Sequence, residues 1–458
     1  MANGGTASRG PPDGSPAALR GLVQQPLLHA YEARKDPEAR GFGPAEPDGG
    51  ASFVWTSFNG LNGLSGVGLL SIPYALSEGG WLSLALLLVV ATACCYTGLL
   101  LQRCMDASPA VRGYPDIGAL AFGRGGRLAA SAFLYAELYL VAIGFLILEG
   151  DNLDKLFPGT SISLGLGRGG DGGGAATLVV SGKQLFVVLV ALVILPTTWL
   201  RSLGVLAYVS ASGVLASAVV VVCVLWTAVA DGVGFRAKGR MLNVSGLPTA
   251  LGLYTFCYCG HAIFPTLCNS MKEKKRFSRV LVICFVLCTF NYGSMAILGY
   301  LMYGDDVKSQ VTLNLPEGKI GSKLAIYTTL ISPFSKYALM VTPLATAVEE
   351  RLLLAAGSGS GRGSSKRSIN VLVRTLLVVS TVVVALAVPF FGHLMALVGS
   401  LLSVMAAMLL PCIFYLKIFG VARCSRAEVA LIATIIVLGS VVAATGTYAS
   451  VKKIVLDY

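Results

Sequence analysis

Runs of about twenty apolar residues recur along the chain, and they constrain its fold more than any other feature of the sequence. Trp81–Leu101, Gln184–Leu200 and Ile369–Pro389 each contain at most one charged residue. An α-helix of about 20 residues crosses the ~30 Å hydrocarbon core of a bilayer, whereas the strands of a membrane barrel would alternate in hydrophobicity over about 10 residues. The repeated runs therefore predict an all-α polytopic membrane protein.

Composition excludes several other classes of protein. Apolar residues make up 55% of the 458 residues and charged residues only 13%, about half the ~25% of a soluble domain. The net charge of +12 does not indicate nucleic-acid binding, because the basic residues lie between apolar runs and form no tract with interleaved aromatic residues. The cysteines predict neither a disulfide framework nor a zinc site, since Cys257 and Cys259 have no second pair. The HExxH, GxSxG and Walker A motifs are absent from the sequence, so we do not expect the protein to be an enzyme. We also expect it to bind no cofactor and no metal.

The apolar runs predict 11 membrane spans that follow a polar tail. Residues 1–50 are rich in Gly and Pro and lack periodicity, which predicts a disordered tail. Spans one to five form a first repeat over 51–230, spans six to ten form a second repeat over 245–417, and 426–458 contain the eleventh helix and the C-terminus. The predicted spans are 53–77, 81–103, 128–150, 184–200, 203–230, 247–270, 279–303, 321–350, 370–390, 392–417 and 427–450.

Lysine and arginine are divided unevenly between the two sides of this arrangement. The side that includes the tail has 23 of them and the opposite side has 11. Because basic loops stay in the cytoplasm, the N-terminus is predicted to be cytosolic and the C-terminus lumenal. The sequence Asn243-Val244-Ser245 is a glycosylation sequon on the lumenal side, and whether it is used is open.

Span one is interrupted by glycine and asparagine. Four glycines and two asparagines lie at mid-membrane between Asn59 and Gly68, and each glycine costs about 1 kcal/mol relative to alanine in a helix interior. One interpretation is a closely packed glycine face. The other is a discontinuous helix whose unwound part binds a ligand, because backbone groups freed in lipid need a cavity or a protein partner.

Span six repeats this pattern and favours the second interpretation. Gly260 lies at mid-span among polar residues, and a proline follows each break, Pro73 in span one and Pro265 in span six. Interrupted spans at matching positions of two halves are typical of inverted-repeat transporters. The N-termini of half-helices suit a carboxylate, so we expect a substrate that has one. The predicted substrate-binding residues are Asn59, Asn62, Gly63, Leu64, Ser65, Gly66, Tyr254, Tyr258, Gly260 and His261.

Four separated motifs resemble the amino acid/auxin permease family, and in particular its vacuolar amino acid transporter branch, which is related to the vesicular inhibitory amino acid transporter. The similarity extends over roughly residues 52–450. It implies a LeuT-like core of five plus five helices, with helices one and six discontinuous, and proton-coupled transport of amino acids. The motifs are residues 62–75 (NGLSGVGLLSIPYA), 137–139 (ELY) with 147–153 (ILEGDNL), 260–265 (GHAIFP) and 333–339 (PFSKYAL).

Ionisable residues at membrane depth are candidates for proton or ion coupling, because each costs about 2.5–3.5 kcal/mol there. Glu137, His261, Lys336 and His393 qualify, and we assign coupling roles to the first three. His261 is either a neutral core histidine bonded to a carbonyl or a contact for substrate or proton. Glu149 is either such a group or an interfacial carboxylate beside Asp151.

Lys336 lies in span eight among apolar residues, and it needs a partner or must lose its proton. Snorkelling toward Glu349 and Glu350 is the structural alternative, but those residues lie some 20 Å away at helical rise. In LeuT-like carriers, span eight lies beside the unwound part of span one, where a sodium ion often binds. The resemblance thus implies that this ammonium replaces sodium; Glu137 is a candidate partner for it.

Together these features predict a secondary active transporter that moves neutral amino acids across the vacuolar or another acidic membrane, coupled to protons. The expected partners are the amino acid, protons and membrane lipid, with no nucleic acid. A plasma-membrane proton/amino-acid importer or an auxin-like permease remains an alternative. A channel or a nutrient-sensing receptor is disfavoured, because no repeated pore motif or structured tail is visible in the sequence.

Overall fold

The computed structural model describes residues 50–166, 176–199, 206–235, 238–355 and 363–457. The predicted tail therefore lies outside the described residues except for Gly50. The described chain is mainly helical, with 14 α-helices and one two-stranded hairpin. The helices are α1 (Phe53–Leu64), α2 (Gly68–Gly79), α3 (Ser83–Asp106), α4 (Tyr114–Leu156), α5 (Gly182–Trp199), α6 (Leu206–Val229), α7 (Leu247–Cys257), α8 (Phe264–Ser270), α9 (Phe277–Tyr303), α10 (Ile320–Ala355), α11 (Gly363–Ala387), α12 (Phe391–Leu397), α13 (Leu410–Phe419) and α14 (Arg426–Leu456).

Eight helical segments of the described chain are long and apolar enough to cross a membrane. Predicted spans one and six are not among them, because each is divided into two short helices, α1 with α2 and α7 with α8. In predicted span five, the apolar segment found is the shorter Gly213–Val229. The polytopic helical fold is confirmed, while the total of eleven spans stays a prediction.

Several boundaries differ from those expected. Helix α4 begins at Tyr114 instead of residue 128, and it kinks at Phe122 and Gly123, where Gly123 has a φ of 64° that favours glycine. The strands β1 (Ser161–Leu166) and β2 (Ala176–Ser181) form an antiparallel hairpin that the sequence analysis did not predict. Most of the glycine-rich loop between them lies outside the described residues.

Predicted span ten is one helical segment of unusual geometry. Helix α11 ends at Ala387 and α12 begins at Phe391, so the link between spans nine and ten interrupts the helix. From Phe391 to Phe419 the chain stays helical, but it passes through two π-helical stretches, Val398–Ser403 and Met405–Leu409. π-Helical turns are rare in proteins, and many of those that occur lie at functional sites.

The helices pack as two groups. Spans one, two, six and seven (α1, α2, α3, α7, α8 and α9) pack against one another, and spans three, four, eight and nine (α4, α5, α10 and α11) form the second group. A buried ion pair ties the second group together at its predicted cytoplasmic end, where Arg374 Nε lies 3.0 Å from Glu349 Oε1. Arg374 also donates to the carbonyl of Thr198, so one guanidinium joins α5, α10 and α11.

The last helix is fastened to the first group at both of its ends. Arg103 Nη1 of α3 lies 2.6 Å from Glu428 Oε1 near the start of α14. Lys453 Nζ, in the last turn of α14, lies 2.8 Å from Glu78 Oε2 at the end of α2. Ser425 caps α14 by accepting a bond from the Glu428 N–H at 3.1 Å.

Candidate functional site

The interruption of span one lies at residues 65–67, between α1 and α2. There the Gly66 N–H donates to the Leu64 carbonyl at 2.9 Å, two residues back instead of four. The N–H groups of Val67 and Gly68 have no acceptor among the described residues. Because the N-terminus of a helix also has a partial positive charge, these free donors suit an anion such as a carboxylate.

Lys336 of α10 binds the carbonyl side of the same interruption. Its Nζ donates to the carbonyl of Ser65 at 3.1 Å and to that of Asn62 at 3.3 Å. The lysine is only 7% exposed, so these two oxygens replace the water that an ammonium would otherwise bind. Neither a bond nor an ion pair joins Lys336 to Glu137 in the described structure, and Glu349 is paired with Arg374.

Asn59 and Asn62 lie within α1, before the interruption. The Oδ1 atoms of both are buried and have no hydrogen-bond partner among the described residues. Asn62 packs against Gly213 of α6 so closely that a Cβ at residue 213 would overlap the amide. Ser65 reaches the same helix, since its hydroxyl lies 2.7 Å from that of Ser217.

Span six is interrupted at residues 258–263, between α7 and α8. Pro265 lies in the first turn of α8. The N–H groups of a first turn have no acceptor within the helix, so proline, which lacks an N–H, costs no hydrogen bond there. Gly260 lies against Leu64 of the first interruption, and a Cβ there would lie 2.7 Å from Leu64 Cδ2. The two interruptions therefore meet, and glycine permits the contact.

Tyr292 of α9 joins the two interruptions, and the sequence analysis did not single it out. Its hydroxyl lies 2.5 Å from the carbonyl of Leu64, to which it donates, and 3.1 Å from that of Cys257. The predicted tyrosines have different partners. Tyr254 bonds to Ser83 at 2.8 Å and Tyr258 to Thr289 at 3.0 Å.

His261 lies within the interruption of span six, and its hydrogen bonds are to span two. Its Nε2 lies 3.0 Å from the carbonyl of Cys94 and 3.0 Å from the Thr97 hydroxyl, both on α3. Thr97 in turn donates to the carbonyl of Ala407 in span ten at 2.6 Å. The ring is fully buried, and this geometry corresponds to the structural alternative, a core histidine bonded to a backbone carbonyl.

Glu137 of α4 faces span ten. Its Oε1 accepts a bond from the Ser403 hydroxyl at 2.6 Å, and the thiol of Cys259 in the span-six interruption lies nearby. Ser403 ends a π-helical stretch, so this buried carboxyl links spans three, six and ten. Sequence spacing could not reveal this contact, because it joins residues 266 positions apart.

A cavity of about 40 Å³ adjoins the interruption of span one. Since a buried water needs about 10–15 Å³ measured in this way, the cavity holds a few waters and would have to widen for an amino acid. Of the predicted site residues, only Ser65 and Gly66 line it. Most of the lining comes from spans five and eight, which the sequence analysis did not assign to the site. The lining residues are Ser65, Gly66, Val67, Leu69, Leu70, Leu148, Gly213, Ala216, Ser217, Val220, Thr328, Thr329 and Pro333.

The two remaining ionisable candidates lie near the outer ends of their helices, that is, the ends on the predicted lumenal side. His393 Nε2 lies 2.9 Å from Asp457 Oδ2. Glu149 is 0% exposed, so it is not an interfacial carboxylate in contact with water. In the described ranges, no group of three or more His, Cys, Asp or Glu side chains could hold a metal ion.

Comparison with solved structures gives two transporters of the LeuT fold, at low sequence identity. The chain is similar to a Na⁺-coupled sialic acid symporter with bound substrate, with a TM-score of 0.54 and 13% identity over 96% of this chain and 97% of that one. It is also similar to MhsT in complex with L-phenylalanine, with a TM-score of 0.57 and 12% identity over 88% of this chain and all of that one. At these identities the likeness shows the fold alone, and the predicted LeuT-like fold is thereby confirmed.

Sequence comparison gives closer relatives from Arabidopsis thaliana. The chain is 49% identical to amino acid transporter AVT1I over 89% of this chain and 96% of the relative. It is 49% identical to amino acid transporter AVT1J over 89% and 92% of the two chains, and 42% identical to AVT1D over 88% and 70%. These relatives are transporters and not enzymes. The family model described as transmembrane amino acid transporter protein matches residues 49–452, and the chain belongs to that family of amino acid transporters.

Proposed function

We propose that this transporter moves neutral amino acids across the vacuolar membrane, or that of another acidic organelle, and couples their movement to protons. The observation that supports this most directly is the ammonium of Lys336 on the two carbonyl oxygens at the interruption of span one. A protein-borne cation at this position can lose and regain a proton, which a bound metal ion cannot do.

The free donors at the start of α2 support an amino acid carboxylate as the anchored group. The N–H groups of Val67 and Gly68 have no acceptor among the described residues, and Val67 lines the cavity. A carboxylate that accepts these bonds would also lie within the field of the α2 dipole. One helix terminus would thus provide both the hydrogen bonds and the charge complement for the substrate.

The lining of the cavity supports substrates with neutral side chains. It contains hydroxyl, glycine and aliphatic residues, and none of the lining residues is Asp, Glu, Lys or Arg. A charged substrate side chain would lack a counter-charge there, and burying an unpaired charge costs several kcal/mol. The serine and threonine hydroxyls could bond to the ammonium group of the substrate.

Protons are favoured over sodium because Lys336 already occupies the carbonyl oxygens that would otherwise attract a metal ion. Placing a sodium ion beside a charged ammonium would cost Coulomb energy in a low-dielectric site. The membrane assignment is supported by the resemblance to the vacuolar branch, and the excess of basic residues on one side supports a cytosolic N-terminus.

Reconstitution tests this proposal. Purified protein in liposomes is given a pH gradient of either sign, and a panel of labelled neutral, acidic and basic amino acids is screened for accumulation with sodium or with choline outside. We expect accumulation of neutral amino acids that follows the pH gradient and is unchanged in choline. Equal accumulation without a pH gradient, or a loss of half the transport in choline, would contradict proton coupling.

Localisation separates the vacuolar transporter from a plasma-membrane importer, because the two share fold and coupling. A fluorescent fusion should mark the vacuolar membrane. Tags at both termini, probed with protease on sealed vesicles, should be cut from opposite sides of the membrane. Cleavage of both tags from one side would contradict the arrangement of eleven spans.

A further inference from the structure

Glu149 is a buried carboxyl group that the proposed mechanism does not yet use. It lies near the outer end of α4 and is 0% exposed. Neither of its oxygens has a hydrogen-bond partner among the described residues. An ionised carboxylate in such a place would be very costly, whereas a protonated carboxyl group is tolerated.

Three polar neighbours of Glu149 on the same helix, Asp151, Asn152 and Lys155, have bonding partners. Asp151 lies 2.5 Å from Lys183 Nζ and accepts a bond from Gln310 at 2.9 Å. Asn152 donates to Gln310 at 2.8 Å, and Lys155 donates to two backbone carbonyls. Asp151 and Lys155 thus have partners for their charges, whereas both Glu149 oxygens, like Asn152 Oδ1, have no hydrogen-bond partner among the described residues.

The charged groups on the elements packed against α4 are engaged elsewhere or exposed. None forms an ion pair with Glu149 in the described ranges. Paired groups among them are Lys183 on α5 with Asp151, Arg374 on α11 with Glu349 on α10, His393 on α12 with Asp457, and Arg103 on α3 with Glu428. Lys336 on α10 is bonded at the interruption of span one, and Lys417 on α13 lies over the ring of Phe122. Lys323, Glu350 and Arg351 on α10 and Asp106 on α3 are exposed.

Glu149 also lies next to the candidate substrate cavity. The preceding residue, Leu148, lines that cavity together with residues of spans one, five and eight. Glu149 itself does not line the cavity, so a change in the width or hydration of the cavity would reach Glu149 through the adjoining turn of α4. When water enters, the ionised form becomes less costly; when water leaves, the protonated form is favoured.

We infer that Glu149 is the proton-binding group that exchanges the transported proton with the outer compartment. The inference rests on the proposed proton-coupled function and adds a residue to it. In the exchange step, one Glu149 oxygen takes one proton from a hydronium ion on the lumenal side, which leaves water, and the carboxylate becomes a carboxylic acid. The reverse step returns that proton to water, so charge and atoms balance with no further reactant.

The variant Glu149→Gln tests this role because it keeps the shape of the protonated carboxyl group and cannot lose a proton. A pH gradient of one unit coupled to one proton supports about tenfold accumulation, and we expect Glu149→Gln to show none. Counterflow, the exchange of labelled for unlabelled substrate without net proton movement, should persist. Glu149→Asp, which keeps the carboxyl group, should retain pH-dependent transport.

The control is Glu317→Gln, an exposed carboxylate in the loop before α10 on the same side, and it should leave accumulation and its pH profile unchanged. If Glu149→Gln accumulates substrate with the wild-type pH profile, the inference is wrong. If it weakens substrate affinity equally at every pH while coupling persists, Glu149 contacts the substrate and the inference is also wrong. A wild-type protein that ignores the pH gradient would instead overturn the proposed function itself.

Discussion

The interruptions of spans one and six each contain a glycine and are each followed by a proline, yet their surroundings differ. In span one, the freed carbonyl oxygens of Asn62 and Ser65 bind a buried lysine, and the next residues line a cavity. In span six, His261 bonds to the neighbouring helix α3, and none of residues 258–263 lines the cavity. Glycine and proline therefore predict where a membrane helix breaks, and the partners of the freed groups decide whether the break binds a ligand or joins helices.

The largest difference between the two interruptions should appear when Lys336 is replaced. Lys336→Met removes the ammonium from the carbonyl oxygens of span one, and we expect it to abolish accumulation driven by a pH gradient. For coupling to one proton, the wild-type protein should accumulate substrate about tenfold for each pH unit of the gradient. Accumulation in proteoliposomes is the measurement. Lys323→Met, at an exposed lysine of the same helix, should accumulate substrate normally.

Arginine at the same position distinguishes charge from proton exchange. Lys336→Arg keeps a positive charge but cannot release its proton, so substrate binding should persist while pH-driven accumulation falls. Normal accumulation by Lys336→Met would mean that the lysine is merely structural.

The next largest effect should come from a substitution that disturbs the packing between spans one and six. A Cβ at Gly68 would lie 2.6 Å from Cys257 Sγ and 3.1 Å from Cys257 Cα, and the backbone contact cannot be relieved by rotating a side chain. Overpacking of this kind costs about 1–3 kcal/mol, so Gly68→Ala should lower both the thermal stability and the rate of transport. Gly293→Ala is the matched control, because no atom lies within 4 Å of its added Cβ.

Tyr292→Phe removes the hydroxyl that joins the two interruptions. The single hydroxyl hydrogen that Tyr292 donates to the Leu64 carbonyl at 2.5 Å would be lost, and losing one hydrogen bond costs about 0.5–1.5 kcal/mol. We expect substrate affinity in counterflow to fall about tenfold, since 1.4 kcal/mol corresponds to that factor. Tyr327→Phe, at a tyrosine that is 51% exposed, should retain wild-type affinity.

The smallest effect on coupling should come from His261→Gln. This variant loses the imidazole whose hydrogen bonds link span six to span two. We therefore expect the free energy of unfolding to fall by about 1–3 kcal/mol. The pH profile of transport should keep its shape, because the ring bonds to the Cys94 carbonyl and the Thr97 hydroxyl of span two and has no bond to the interruption of span one in the described structure. A shifted pH profile would show that span six takes part in proton coupling and that the contrast between the interruptions is wrong.

The fold and the positions of both interruptions could be predicted because they follow from local features of the chain. Apolar run length sets the spans, and Gly66, Gly260 and the prolines that follow them mark the breaks. The side chains that reach the site from other spans could not be predicted in the same way. Ser217, Thr328 and Tyr292 reach it from spans five, eight and seven, and in the sequence they are ordinary small or aromatic residues of apolar helices.

Burial likewise separates residues that look alike in the sequence. Glu149 and Asp151 stand two positions apart, and hydropathy alone cannot tell which one will face a lysine. The structure pairs Asp151 with Lys183 and leaves Glu149 without a partner in the described chain. Helical phase and the position of α5 decide this difference, and both are properties of the assembled bundle.

The ion pair between Lys453 and Glu78 joins residues 375 positions apart, which has a consequence for how the protein is made. Helix α2 is synthesised early, whereas its partner on α14 emerges only after nearly all the other helices. At a synthesis rate of about 5–20 residues per second, Lys453 is added to the chain some tens of seconds after Glu78. During that interval the outer end of α2 lacks this ion pair, and Glu78 has only the hydroxyl of Tyr74 from its own helix as a side-chain partner in the described structure.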